Sequence, residues 1–127
     1  MTIYFEEVFG ADPAKVQWDV VRGNTSIFRV EFLEDDEVTA YDMTGWDIQA
    51  TAYDPVADVL DALEVEMGSG YAEITATPEV SANWGDKYAS IVAELQFDMK
   101  VTIDDTKVWT PVVGTIRVIG DVTGGGL

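Results

Sequence analysis

The dominant period along this chain is two. From Ala14, residues Val16, Trp18 and Val20 fall on one side of an extended backbone, and Lys15, Gln17 and Asp19 on the other. The alternation returns with Phe28, Val30 and Phe32 against Arg29 and Glu31. It returns again with Trp46, Ile48, Ala50 and Ala52 against Asp47, Gln49, Thr51 and Tyr53. A longer run opposes Ala89, Ile91, Ala93, Leu95 and Phe97 to Tyr88, Ser90, Glu94 and Gln96. The last sets Gly114, Ile116 and Val118 against Thr115, Arg117 and Ile119. Successive strand side chains point to opposite faces, so each run predicts a strand with one face in a core and one in water.

Turn-forming residues separate the runs: Gly23-Asn24, Asp35-Asp36, Gly45, Asp54-Pro55, Gly68-Ser69-Gly70, Gly85-Asp86, Asp104-Asp105 and Gly120-Asp121. Short strands at that spacing predict a sandwich or barrel, not parallel α/β units. Pro111 has no N–H for a ladder, and inside the last strand region it implies an edge position, a bulge or a strand start. Thr77 to Gly85 reads as N-cap threonine, N1 proline, one helical turn and C′ glycine, with Val80 and Trp84 four apart on the buried side. Between Val56 and Met67 two periods compete. Val56, Leu60, Leu63 and Met67 fit a helix, whereas Leu63, Val65 and Met67 fit a strand. After Asp54-Pro55 stops the preceding strand, the expectation is a loop or one turn, then a strand from about Leu63.

No composition shift divides the chain. Residues 1–13 stand outside the repeating pattern and carry Ile3, Tyr4, Phe5, Val8 and Phe9, ending in Gly10-Ala11-Asp12-Pro13. They are expected to form an N-terminal docking arm, the alternative being that the arm packs on its own sandwich. Residues 14–123 make the β-sandwich domain, and 124–127, Gly-Gly-Gly-Leu, a flexible C-terminal tail. The 127 residues are the size of one domain, and 47% of them are hydrophobic, enough for a core without a metal or disulfide staple.

Charge narrows the partners. Against 24 Asp and Glu stand 7 Lys and Arg, a net charge of −17. Nucleic acid and anionic lipid both need a basic surface, so neither is expected as a partner. The chain also repels itself unless salt or a basic neighbour intervenes. Without cysteine there is no disulfide, thiolate nucleophile or Cys-held metal, and without histidine no imidazole triad or His-held metal. Met1-Thr2-Ile3-Tyr4-Phe5-Glu6-Glu7 has no basic, apolar leader character, so no signal peptide is expected.

Carboxylates are the remaining chemistry. The neighbours Glu6-Glu7, Asp35-Asp36-Glu37 and Asp104-Asp105 are the candidate pairs for glycoside hydrolysis, which needs two carboxyls about 5 to 10 Å apart across a cleft. Adjacent strand residues point apart, and aspartate is a favoured turn residue, so solvated turns explain these pairs better. The Asp-x-Asp-x-Asp-Gly spacing of a calcium loop is absent, and Gly68-Ser69-Gly70 leads into a strand rather than a phosphate-binding helix. Of the tryptophans, Trp18 and Trp46 lie on apolar faces and read as core, and Trp84 as the cap of the small turn. Trp109, beside Thr110-Pro111, reads as the exposed one and as a candidate interface anchor.

Three stretches, in order, carry a resemblance. Arg22-Gly23-Asn24-Thr25 ends a strand and Ile27 to Leu33 forms the next. After an acidic turn comes Tyr41-Asp42-Met43-Thr44-Gly45-Trp46-Asp47-Ile48. Thr77 to Tyr88 forms a short turn running into a strand through Gly85 and Tyr88. The close is Val112-Val113-Gly114-Thr115-Ile116-Arg117-Val118-Ile119-Gly120-Asp121-Val122-Thr123. This order resembles the small β-sandwich domains of tailed-phage virion proteins, such as the N-terminal domain of siphophage baseplate upper proteins. It covers residues 14 to 123. Asn24 departs from the usual Asp, and Asp86-Lys87 lengthens the entry to Tyr88. Family members often continue into a stalk or receptor-binding module. The chain ending at Leu127 instead suggests a self-contained adaptor, connector or decoration subunit. The family has no catalytic residues to carry over.

The expected fold is all-β, a single antiparallel immunoglobulin-like β-sandwich with one short helical turn near residues 78–84. The expected function, as the resemblance implies, is that of a non-enzymatic structural subunit of a tailed-phage virion, in the tail, baseplate or fibre-attachment region. Its partners would be other virion structural proteins and further copies of itself, in a ring or trimer. Its interface is expected at Tyr4, Phe5, Val8, Phe9, Trp109, Pro111 and Leu127. No cofactor, metal, nucleic acid or membrane is expected, and the location is the virion after synthesis in a host cytoplasm. The alternatives are a capsid decoration or head-fibre subunit, and a carbohydrate-binding module stacking sugar on Trp109, Tyr53 and Tyr41.

Overall fold

In the computed structural model, which describes residues 2–4, 13–34, 36, 38–85 and 92–120, the alternating runs are strands wherever they are described, Tyr88, Ala89, Ser90 and Ile91 of the longest run lying outside those residues. In chain order the elements are β1 (Thr2–Tyr4), β2 (Ala14–Val21), β3 (Ser26–Leu33), β4 (Trp46–Asp54), β5 (Val59–Gly68), β6 (Tyr71–Ala76), the one-turn helix α1 (Pro78–Ser81), β7 (Val92–Ile103) and β8 (Lys107–Ile119). They are hydrogen-bonded in the order β1-β3-β6-β5-β4-β7-β8-β2. One layer is β1-β3-β6-β5 and the other β5-β4-β7-β8-β2. Strand β5 belongs to both, pairing with β4 through Val59–Leu63 and with β6 through Glu64–Gly68. Crossing between layers within one strand folds the continuous ladder into a two-layer sandwich. Strands β3, β6 and β5 face β4, β7 and β8, the B-E-D against C-F-G order of the immunoglobulin fold.

Two pairings are parallel, β1 on β3 and β2 on β8, where an antiparallel sandwich was expected. Short turns force antiparallel pairing only on strands that follow one another in the chain. Each of these pairs joins an N-terminal strand to a later one, so that constraint is absent. Residues Thr2–Tyr4 of the expected arm are therefore a sheet edge, paired with Glu31–Leu33.

The buried faces hold two aromatic groups. Trp18, Phe28 and Phe97 meet with ring centroids 5.6 to 5.9 Å apart. Phe32, Trp46 and Trp109 form the second, edge to face at 5.1 to 6.2 Å, with Tyr41 leaning on Trp46. These are the separations at which aromatic quadrupoles attract. Trp109 is thus only 9% exposed, which corrects its expected surface position. Alternation explains it: Val112, Ile116 and Val118 are buried on β8, and a bulge restores the inward direction at Trp109. That bulge sets Thr110 and Pro111 of β8 against Lys100 of β7. Of the options for Pro111 it is the bulge that occurs. The proline is buried, one residue before β8 begins to pair with β2 at Val112.

The ambiguous stretch 56–67 resolves differently from expectation, since β5 begins at Val59 rather than near Leu63. The Asp54 carboxylate accepts from the N–H groups of Val56 (3.0 Å) and Ala57 (3.1 Å), closing a tight turn that ends with Asp58 at φ 56°. The chain is reversed by then, and Val59 already opposes Asp54. Helix α1 starts on its signals but stops short of the expected C′ glycine, its C-cap being Ala82. Thr77 accepts from Val80 N–H (3.3 Å), Pro78 starts the turn, and Gly85 follows at φ 74°.

Candidate interaction surface

The acids that could have formed catalytic pairs hold turns. Asp36 accepts from the N–H groups of Val38 (2.9 Å) and Thr39 (2.7 Å) and from the Thr39 hydroxyl. These bonds, the hydroxyl first, favour its charged form and lower its pKa from the usual 3.8. Asp42 is lowered likewise by the Thr44 hydroxyl (2.6 Å) and N–H (3.0 Å). Asp104 and Asp105 make the β7–β8 turn at φ 51° and 60°, conformations that aspartate tolerates. The remaining members, Glu6, Glu7, Asp35 and Glu37, lie outside the described residues. Among the described residues no group of three or more Asp or Glu is placed to hold a metal ion.

One end of the sandwich is organised around Trp84, buried as its spacing from Val80 predicts. Its indole N–H donates to Asp61 (2.8 Å) and its carbonyl accepts from Arg22 (2.8 Å). Ser81, fully buried, accepts from Gly23 N–H (3.0 Å) and donates to the Asn24 carbonyl (3.2 Å). Asp54, 3% exposed, also accepts from Gly85 N–H (3.4 Å). A cavity of about 500 Å³ opens between the β4–β5 turn and α1, lined by Asp54, Val59, Asp61, Glu79, Val80 and Trp84. Nothing in the sequence signals this convergence, because its members come from four separate segments.

The outer face of the β5-β4-β7-β8-β2 layer is a shallow groove carrying Lys15, Thr51, Tyr53, Leu60, Gln96 and Val113. Leu60 is 69% exposed there. The Tyr53 hydroxyl donates to Asp58 (2.8 Å), and this bond, burial and the charges of Asp58 and Asp54 raise its pKa. On the other layer, Arg29 lies over the Tyr71 ring at 3.9 Å and pairs with Glu31 and Glu73.

The layers end in β1 and β2. Strand β2 lies so close to β8 that a side chain at Gly114 would strike the Val16 carbonyl. Of the expected interface residues, Tyr4 is in β1 and its side chain lies outside the described residues, as do Phe5, Val8, Phe9 and Leu127. Trp109 and Pro111 are in the interior. A buried Trp109 offers no stacking face to a sugar, and Tyr41 is half covered against Trp46.

No family model matches the chain, and no curated protein matches it. Among solved structures it is similar to the M1 domain from titin, at 12% identity and a TM-score of 0.40, over 85% of this chain and 91% of that one. It is also similar to the N-terminal domain of phage TP901-1 ORF48, at 9% identity and a TM-score of 0.37, over 94% of each chain. The fold assignment stands on the strand order, not on these likenesses.

Proposed function

We propose that this chain is a non-enzymatic structural subunit of a tailed-phage virion, in the tail, baseplate or fibre-attachment region, acting through contacts with neighbouring subunits. The observation that carries this reading is the layout of the edges. Both sheets end in strands from the first 21 residues, and β2 has a partner on one side only among the described residues. An open strand edge is a template for another chain. The apolar residues Phe5, Val8 and Phe9 sit in sequence between those two edge strands. Carboxylates occupied in turns, a strongly acidic surface and the sequence resemblance over residues 14–123 support the same reading.

The test replaces Phe5, Val8 and Phe9 together by serine. Substitution is preferred to deleting residues 1–12 because β1 completes one sheet. The expected result is a variant that melts cooperatively like the parent yet is missing from purified particles, while the parent is found in them by immunogold electron microscopy. Particles that lack the parent protein, or that take up the variant equally, would overturn the proposal.

A further inference from the structure

We infer that the edge of β2 that has no partner among the described residues pairs with β2 of a second copy of this chain, antiparallel and centred on Gln17, so that two sandwiches share one continuous sheet. This deepens the assembly reading above, and rests on it only in taking a surface as the working part.

The backbone shows which groups are available. Arg22 N–H donates to the Ile119 carbonyl at 2.9 Å, and the Val16 carbonyl lies against Gly114. Even-numbered residues of β2 therefore turn their main-chain groups toward β8. By alternation, Lys15, Gln17 and Asp19 direct theirs outward, whereas the Val21 carbonyl accepts from Asn24 N–H (3.0 Å) in the turn. The strand runs eight residues in unbroken register, from Ala14 against Val112 to Val21 against Ile119. It contains no proline and no bulge, two of the devices that natural edges use to refuse a partner. The opposite edge, β1, spans three residues and offers far less.

The side chains select the register. Centring two antiparallel copies on Gln17 sets Lys15 of each against Asp19 of the other, with Gln17 facing Gln17. Centring on Lys15 or on Asp19 would instead oppose like charges. The favoured register also keeps outward residues opposite outward residues, so each facing pair exchanges both main-chain bonds. On the inner face it brings Val16 against Trp18, extending the apolar layer across the junction. On the outer face it completes a row. Glu94 opposes Arg117 across β7 and β8, and Arg117 neighbours Asp19 across β8 and β2. Lys15 of the second copy would come next, giving a sequence of alternating sign. Two of only 7 basic residues in the chain fall in this row, where a random placement would follow the general acidity. Repulsion between two chains of −17 opposes the pairing, but at physiological salt it is confined to about 8 Å.

Sedimentation equilibrium of the full chain, from micromolar to millimolar concentration, tests this. A monomer–dimer equilibrium is expected. Lys15→Asp or Asp19→Lys alone should weaken it by about tenfold or more, since each places like charges opposite one another twice. The two changes together should return the dimer to near its parental Kd. Gln17→Pro, which removes an outward N–H and leaves β8 pairing intact, should abolish the dimer with the melting transition retained. A chain that stays monomeric throughout, or an oligomer indifferent to Lys15→Asp, would overturn the inference. An oligomer lost only on replacing Phe5, Val8 and Phe9 would also overturn it while leaving the subunit reading standing. Particles lacking the protein would overturn that reading and not the dimer.

Discussion

Gly114 decides how closely two strands approach. Its missing side chain lets the Val16 carbonyl lie over the backbone of β8, and any Cβ there meets main-chain atoms that cannot rotate away. Gly114→Ala should therefore destabilise the fold by about 1–3 kcal/mol through overpacking, read as a lower denaturant midpoint at unchanged slope. An unchanged midpoint would mean that β2 does not sit where it is described. Glycine at this position is visible in the sequence, but the reason for it is not, because Val16 lies 98 positions earlier in the numbering. Trp109 makes the same point in the opposite direction. Beside Thr110 and Pro111 it reads as exposed, whereas a bulge across from Lys100 aims the ring at Phe32 and Trp46.

Helix α1 was the most legible element and β5 the least. The start of the helix is written in adjacent residues, Thr77 as cap and Pro78 as first position. What the element is for was not legible, since Ser81 reaches Gly23 and Asn24 across the end of the sandwich. Thr77→Ala should cost about 1 kcal/mol as a lost cap. Ser81→Ala should cost about 1–2 kcal/mol by removing the tie to the β2–β3 turn. The two belong to one small unit, so the double variant should depart from the sum in thermal or denaturant unfolding. Additivity would show that the cap and the tie act independently. For β5, the period was ambiguous because the strand divides its loyalty between layers. Its first half faces β4 and its second half β6, and one alternating pattern cannot describe both.

At the scale of the whole molecule, a charge of −17 sets the response to solution conditions. A net charge of −17 repels itself more strongly in the compact state than in the open chain, so the loss of negative charge on lowering pH from 7 should first stabilise the fold. Asp36 and Asp42 act in the other direction. Their pKa values are lowered from 3.8 by turn hydrogen bonds, so their contribution is present above that value and is lost as pH falls below it through the folded values. Unfolding free energy should therefore rise on mild acidification, pass through a maximum above about pH 4, and then fall. Added salt should flatten the rise by screening. A steady loss of stability from pH 7 downward would contradict the dominance of repulsion.

Alternation of apolar and polar residues was enough to establish an all-β sandwich, most of its strands and the faces that Trp18 and Trp46 bury, because those depend on local period and transfer from water. Turn chemistry located the reversals for the same reason. The parallel edges, the strand shared between layers, the inward turn of Trp109 and the meeting of Arg22, Asp54, Asp61, Ser81 and Trp84 were decided only in three dimensions. Each joins residues distant in the chain, and no one-dimensional pattern records which of two distant segments will come to lie side by side.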